Sequence, residues 1–223
     1  MASQPTPVVT AFDWVPDFAK GLVRDLRVRW AFEELGAPYA VEKFGAAAPR
    51  PEGYVQWQPF EQVPAFRDGD LELFETGAIL LYLAQKHDAL LPKDERVRWQ
   101  AIAWVFAGLN SVEPVFQRYF AYAVFNAGKD WAEGAKEAVL PLLRQKLKRV
   151  SDALGDKDWL AGEFSIADIM MVTVLNNLRE TDFVAEFPNL AAYHARGMAR
   201  DAYQRALAAQ IDDFTGAPPA AAA

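Results

Sequence analysis

The pattern of apolar residues changes character once along the chain, near residue 87, and that change constrains the fold more than any other feature. Before it, short strand-like runs alternate with helices. Residues 8–12 (Val-Val-Thr-Ala-Phe) and 39–44 (Tyr-Ala-Val-Glu-Lys-Phe) read as strands. Between them, Val28, Ala31, Phe32 and Leu35 recur at helical spacing, and Gly36 followed by Pro38 supplies a stop. Residues 63–66 and 72–74 read as two more strands, joined by Arg67-Asp68-Gly69-Asp70, in which Asp-Gly is a hairpin signal. A helix over about 75–86 follows. This order, βαβ then ββα, predicts an α/β domain over residues 1–86. After a linker at 87–94, only helical periodicity remains: 95–125, broken or bent near Pro114, then 131–154, 165–179 and 190–209. The second domain is therefore expected to be an all-α bundle over 95–214, with a disordered tail at 215–223.

Composition narrows the chemistry. With 223 residues, 52% of them hydrophobic, the chain can bury a sizeable core. It contains no cysteine, and His87 and His194 are its two histidines, so a disulfide framework and a zinc or iron–sulfur site are not expected. Any thiol chemistry must use a thiol brought from outside. A net charge of −7 without a basic tract argues against a nucleic-acid partner. The opening lacks a basic segment followed by an apolar core, and the longest apolar run, 78–84, is too short to cross a bilayer, so no membrane association and a cytoplasmic location are expected.

Two clusters carry further information. Glu75-Thr76 falls at a helix start, where unpaired N–H groups and the helix dipole favour an anion, although the same pair also reads as ordinary capping chemistry. Phe164-Ser165-Ile166-Ala167-Asp168-Ile169 is an acidic variant of the S-x-x-E capping box and reads as structural. Taken together, Gln58-Pro59-Phe60-Glu61-Gln62-Val63-Pro64-Ala65-Phe66, Asp68-Gly69, Leu73-Phe74-Glu75-Thr76-Gly77-Ala78-Ile79 and Tyr82-Leu83 resemble the glutathione-site signature of the glutathione transferase family. The run from Trp30 to Tyr39, Leu90-Leu91-Pro92 and the Ser165–Asp168 box extend that resemblance over nearly the whole chain.

The resemblance implies a thioredoxin-like first domain, a helical second domain and glutathione as co-substrate. A cis peptide before Pro64 would turn the N–H and C=O of Val63 toward the cysteinyl backbone of glutathione. Thr76, where the family usually has serine, would take the γ-glutamyl carboxylate through its hydroxyl and N–H. Glu75 would face the α-amino group, and Gln62 matches a position that often contacts the glycyl end. The family is typically a homodimer.

One part of the pattern is missing. The family usually activates the glutathione sulfur with a Tyr, Ser or Cys just after the first strand, and residues 12–34 contain none of these and no Thr. A free thiol has a pKa of about 8.5 and is a weak nucleophile at neutral pH unless its thiolate is stabilised. Lys20, Arg24 and Arg27 fall at i, i+4 and i+7, so on one helix they would share a face and could supply that charge. The position of the family's Ser or Cys falls near Arg24 or Asp25, and Arg24 is the candidate catalytic residue; a solvated or ion-paired basic face is the competing reading. Trp14 is a candidate for the site edge through its indole N–H, against the alternative of plain packing.

In the family the electrophile lies against the first helices of the helical domain. The aromatic-rich stretch from Trp104 to Phe125 falls there, and Tyr119 and Tyr122 are singled out because their hydroxyls need a polar partner. The expected function is transfer of glutathione to a small apolar electrophile. The alternatives are another glutathione-dependent reaction (isomerase, lyase, dehalogenase or peroxidase) or a non-enzymatic transferase-like binding module.

Overall fold

The structure is a computed structural model describing residues 5–46 and 48–218. In chain order its elements are β1 (Val8–Phe12), a 3-10 turn (Asp17–Ala19), α1 (Asp25–Leu35), β2 (Ala40–Phe44), α2 (Tyr54–Trp57), β3 (Ala65–Asp68), β4 (Leu71–Phe74), α3 (Thr76–Lys86), α4 (Glu95–Ala107), α5 (Glu113–Phe120), α6 (Ala132–Leu154), α7 (Ile166–Leu175), α8 (Pro188–Met198) and α9 (Asp201–Asp212). They form two compact units. One joins the chain up to Ala89 with the segment from Arg200 onward, and the other is Leu90–Ala199.

The first unit is built on a four-stranded sheet in the order β2-β1-β3-β4. β1 runs parallel to β2 and antiparallel to β3, and β3 runs antiparallel to β4, which is the thioredoxin-like arrangement expected. Side chains alternate between faces with period two, which sorts the core. On one face Phe66 meets Phe32 of α1 and Tyr82 of α3, at ring-centroid distances of 6.2 and 5.7 Å. On the other, Val8, Phe44 and Ala65 pack with Tyr54 and Trp57. The short helix α2 was not anticipated, because four residues are too few to show a helical period. The β3–β4 turn takes its positive φ (+61°) at Gly69, as the Asp-Gly signal requires.

α1 is buried from Asp25 through Phe32, well beyond the apolar stripe that faces the sheet. The cause is α9, which packs on its other side. Trp30 meets Tyr203 edge-on at 4.9 Å, and Glu34 accepts from Trp30 Nε1 (2.8 Å) and from Arg200 Nε and Nη2 (2.6 and 2.7 Å). This corrects two expectations. The single helix over 190–209 is two helices, broken where Arg200 is extended (φ −66°, ψ 133°) and forks onto Glu34. The all-α domain expected over 95–214 also yields its last helix to the first unit, since α9 makes its ion pairs with α1. Within the expected tail, the Gly216 N–H donates to the Asp13 carbonyl at 2.8 Å; residues 219–223 lie outside the described residues.

In the second unit, α4 and α5 are joined by a π-helical turn, Gly108–Val112, and a second, Ala121–Phe125, follows α5. The break expected near Pro114 therefore falls at widened turns, and the proline sits in the first turn of α5, where its missing N–H leaves no bond unmade. α7 is buried along its whole length. Its capping box forms as expected: Ser165 Oγ accepts from Ala167 N (3.3 Å) and Asp168 Oδ2 from Ser165 N (2.9 Å). Asp168 Oδ1 also accepts from Leu160 N (3.0 Å) and the Tyr193 hydroxyl (2.9 Å), so the box ties three segments together. Among the described residues no helix is long and apolar enough to cross a membrane, and no group of three or more His, Asp or Glu could hold a metal ion.

Candidate functional site

Sheet register brings three parts of the expected glutathione site to one place. Ala65 pairs with Phe74, so Val63-Pro64, just before β3, and Glu75, just after β4, leave the same end of that ladder. Val9 pairs with Phe66 in the antiparallel β1–β3 ladder, so β1 also runs out at this end, delivering the loop that begins at Asp13. Residues far apart in sequence thus converge at one sheet end of the first unit.

The segment before β3 is held by side chains from below. Ala65 N–H donates to Thr10 Oγ1 (2.7 Å), Thr10 Oγ1 lies 2.8 Å from the Tyr54 hydroxyl, and that hydroxyl donates to the Gln62 carbonyl (2.7 Å). With the Tyr54 proton on a carbonyl, the proton between the two hydroxyls belongs to Thr10. Burial raises the Tyr54 pKa, which keeps the phenol a donor. The preceding loop is pinned too: buried Gln58 accepts from Phe60 N (2.6 Å), and Arg50 Nε donates to the Glu61 carbonyl (2.8 Å). The Val63-Pro64 peptide is cis. Among the described residues the Val63 N–H and C=O take no backbone partner, and the Gln62 side chain is exposed.

The turn into α3 has an unusual backbone. Glu75 has φ +71° and ψ 117°, a conformation that side-chain-bearing residues rarely adopt and that costs on the order of 1–3 kcal/mol. Its carboxylate is exposed, while its carbonyl accepts from Ile79 N (3.0 Å) and so starts the helix. Thr76 opens α3, where the first N–H groups lack intrahelical acceptors. Its hydroxyl accepts from Arg27 Nη1 at 3.5 Å, leaving its own proton available to an anion. Arg27 is 2% exposed and Thr76 3%. The helix N-terminus favours an anion at this point, and the Arg27 guanidinium lies beside it.

The basic stripe expected over Lys20, Arg24 and Arg27 does not form. α1 begins only at Asp25, Lys20 lies in the preceding turn and pairs with Asp17 (2.7 Å), and Arg27 is buried beside Thr76. Arg24 immediately precedes the first turn of α1 and is half-buried, as is Trp14 in the loop after β1. In the second unit, Tyr119 on α5 stacks edge-on to Phe183 (5.3 Å), and Tyr122, in the π-helical turn, to Trp131 (5.9 Å). Neither hydroxyl has a hydrogen-bond partner among the described residues. A cleft of about 320 Å³ on the α2 side of the sheet, lined by Glu42, Glu52, Tyr54, Trp57, Arg67 and Glu72 among others, contains none of the candidate residues. Sequence reasoning missed Thr10 and Tyr54 altogether, and it put Arg27 on a stripe with Lys20 and Arg24 rather than beside Thr76.

Comparison with known proteins gives this geometry its family. The family model for the glutathione S-transferase N-terminal domain matches residues 8–85, and that for the glutathione S-transferase C-terminal domain matches 110–201. The chain is 30% identical over 162 residues (67% of this chain) to glutathione S-transferase F14 of Arabidopsis thaliana, and it spans 64% of that protein's length. It is also 30% identical over 174 residues to the disulfide-bond oxidoreductase YfcG of Escherichia coli (strain K12), covering 74% of this chain and 80% of that one. A crystal structure of a glutathione transferase from Burkholderia graminis, with two glutathione molecules bound per subunit, superposes with a TM-score of 0.77 at 26% identity, covering 91% of this chain and 87% of that one. With both family domains matched in order on the thioredoxin-like and helical units, the chain belongs to the glutathione S-transferase family.

Proposed function

We propose that this protein binds glutathione and conjugates it, through its sulfur, to a small apolar electrophile. The observation that carries the reading is the meeting, at one sheet end, of the Thr76 helix mouth with buried Arg27 and the unpaired backbone of Val63. In this reading the Thr76 hydroxyl and N–H donate to the γ-glutamyl carboxylate, and Glu75 faces the α-amino group. Val63, held before Pro64, pairs with the cysteinyl backbone, and Gln62 meets the glycyl end. Arg24, at the start of α1, is the cation assigned to the thiolate, with Trp14 at the site edge. The thiolate attacks the electrophilic carbon and the leaving group departs with its electron pair. Tyr119 and Tyr122, half-buried with unpaired hydroxyls, are assigned to the electrophile. A homodimer and a cytoplasmic location belong to the same reading.

A second reading is disulfide reduction. It gains support from the relative named as a disulfide-bond oxidoreductase and the neighbour with two bound glutathiones. Here one glutathione thiolate attacks a sulfur of the disulfide and expels a thiolate. A second glutathione resolves the mixed disulfide, giving two product thiols and glutathione disulfide. Turnover of a generic aryl halide and of a small dialkyl disulfide, each with glutathione, separates the two. Aryl-halide turnover supports transfer; disulfide turnover alone supports reduction; glutathione binding with neither would leave a binding module.

A further inference from the structure

The C-terminal segment does something that docking α9 does not require. α9 is already anchored to α1 by Arg200 on Glu34, Arg205 on Glu33 (2.7 Å) and Gln210 Nε2 on Asp25 Oδ1 (2.7 Å). The chain nevertheless continues past the helix and makes a second set of contacts. The Asp213 carboxylate takes Lys43 of β2 on Oδ1 and Arg29 of α1 on Oδ2, both at 2.8 Å. Lys43 and Arg29 together hold that carboxyl below its usual range against the opposing effect of burial. Three residues on, the Gly216 N–H donates to the Asp13 carbonyl, and Asp13 N–H in turn donates to Phe44 O (3.1 Å). Asp13 is thus fixed from β2 on one side and from the C-terminal segment on the other.

Steric fit makes the second contact specific. A Cβ added at Gly216 would stand 2.8 Å from both Cγ and Oδ1 of Asp13 and 3.1 Å from its carbonyl oxygen. A methyl there would have to push the Asp13 carboxylate aside and would crowd its carbonyl oxygen, so the substitution shifts Asp13. Asp13 is the first residue after β1, at the head of the loop that leaves the sheet beside Val63-Pro64 and Glu75 and ends at Arg24. We infer that residues 213–216 are a positioning strap: Asp213 and Gly216 set where the loop of residues 13–24 stands relative to the sulfur of bound glutathione. The inference rests on the glutathione reading above. Neither residue touches the reacting atoms; both act through Asp13 and the start of α1.

Gly216→Ala and Asp213→Asn, each assayed in the full chain with glutathione and whichever acceptor the wild type turns over, test the strap. Gly134→Ala on α6, where nothing lies within 4 Å of the added methyl, is the control. A displaced loop is expected to lower kcat about ten- to a hundredfold, since misplacement by an ångström is worth that much. The KM for glutathione should change little, because Glu75 and Thr76 are set by β4 and α3. The acidic limb of the kcat/KM profile should move to higher pH, because a less stabilised thiolate forms only at higher pH. A lower Tm with kcat and the pH profile unchanged in both variants would overturn the strap and reduce it to a structural contact. If Gly216→Ala does not fold, Asp213→Asn, nearly isosteric and partly exposed, decides by the same readouts. Wild-type protein that neither binds nor turns over glutathione would sink the functional reading, and the strap with it, before any variant is made.

Discussion

Tyr54→Phe removes one oxygen from the middle of the Thr10–Tyr54–Gln62 chain and leaves the ring packed edge-on against Phe44 (5.0 Å) and Trp57 (5.8 Å). The substitution therefore isolates the hydrogen bonds. Two are lost, the 2.7 Å bond to the Gln62 carbonyl and the 2.8 Å bond with Thr10. Thr10 is partly compensated, because its hydroxyl lies 3.5 Å from the Ala65 carbonyl and can turn its proton there. Among the described residues the Gln62 carbonyl has no such alternative. A part-buried acceptor left unpaired costs about 1–3 kcal/mol, so a loss of about 2 kcal/mol is expected in urea denaturation, as a lower midpoint at constant m. Because the released carbonyl adjoins Val63, the glutathione Kd should rise as well, by about tenfold for each 1.4 kcal/mol that comes out of binding. Thr10→Val strands the fully buried Ala65 N–H instead, and the double variant should show a coupling of at least about 0.5 kcal/mol. A Tyr54→Phe protein as stable as wild type would refute the chain. A destabilised one with unchanged Kd would show that the chain holds the core and not the site.

Two further predictions concern the framework. Burial pushes the Asp25 carboxyl up to about 6, against the opposing pull of Arg29 and Gln210. A raised folded-state pKa stabilises the protein fully below the unfolded value and loses that contribution as pH climbs through 6. The Asp25 contribution should thus fall by about 2 kcal/mol between pH 4 and 7, and Asp25→Asn should remove that slope when the two stability profiles are subtracted. A wild-type profile parallel to that of the variant would contradict the assignment. On α8, a Cβ at Gly197 would stand 2.5 Å from Val172 Cγ2 and 2.9 Å from Cγ1, so Gly197→Ala should cost about 1–3 kcal/mol by overpacking. Gly134→Ala should not destabilise, and equal Tm values for the two would contradict the packing seen between α7 and α8.

The sheet was readable because its strands alternate and its hairpin has Asp-Gly at the turn, signals that act over a few residues. What could not be read depends on contacts across long separations. Tyr54 meets Thr10 over 44 residues, and nothing local distinguishes that tyrosine from any other. The spacing puts Arg27 on one face with Lys20 and Arg24 only if a single helix spans all three; α1 begins at Asp25, and Arg27 is buried beside Thr76 instead. The α8–α9 break has no Gly or Pro at residues 198–201 to announce it, and Arg200 is held extended by its pairing with Glu34, a partner 166 residues away. The positive φ of Glu75 is likewise invisible in sequence, since the backbone around it, and not the residue type, imposes that angle. In the candidate site, the motif residues 62–64, 75 and 76 could be named in advance, but the side chains that hold them could not.

The account stands on the helix mouth at Thr76 acting as the seat of the glutathione carboxylate. Calorimetric titration of wild type and Thr76→Val with glutathione, and with an analogue lacking the γ-glutamyl carboxylate, tests it. Wild type should prefer glutathione, and Thr76→Val, which keeps shape and removes the hydroxyl, should weaken glutathione by about tenfold or more, as expected for a hydrogen bond to a charged group, while leaving the analogue unaffected. Equal affinity of wild type for glutathione and the analogue, or no binding of either, would contradict it.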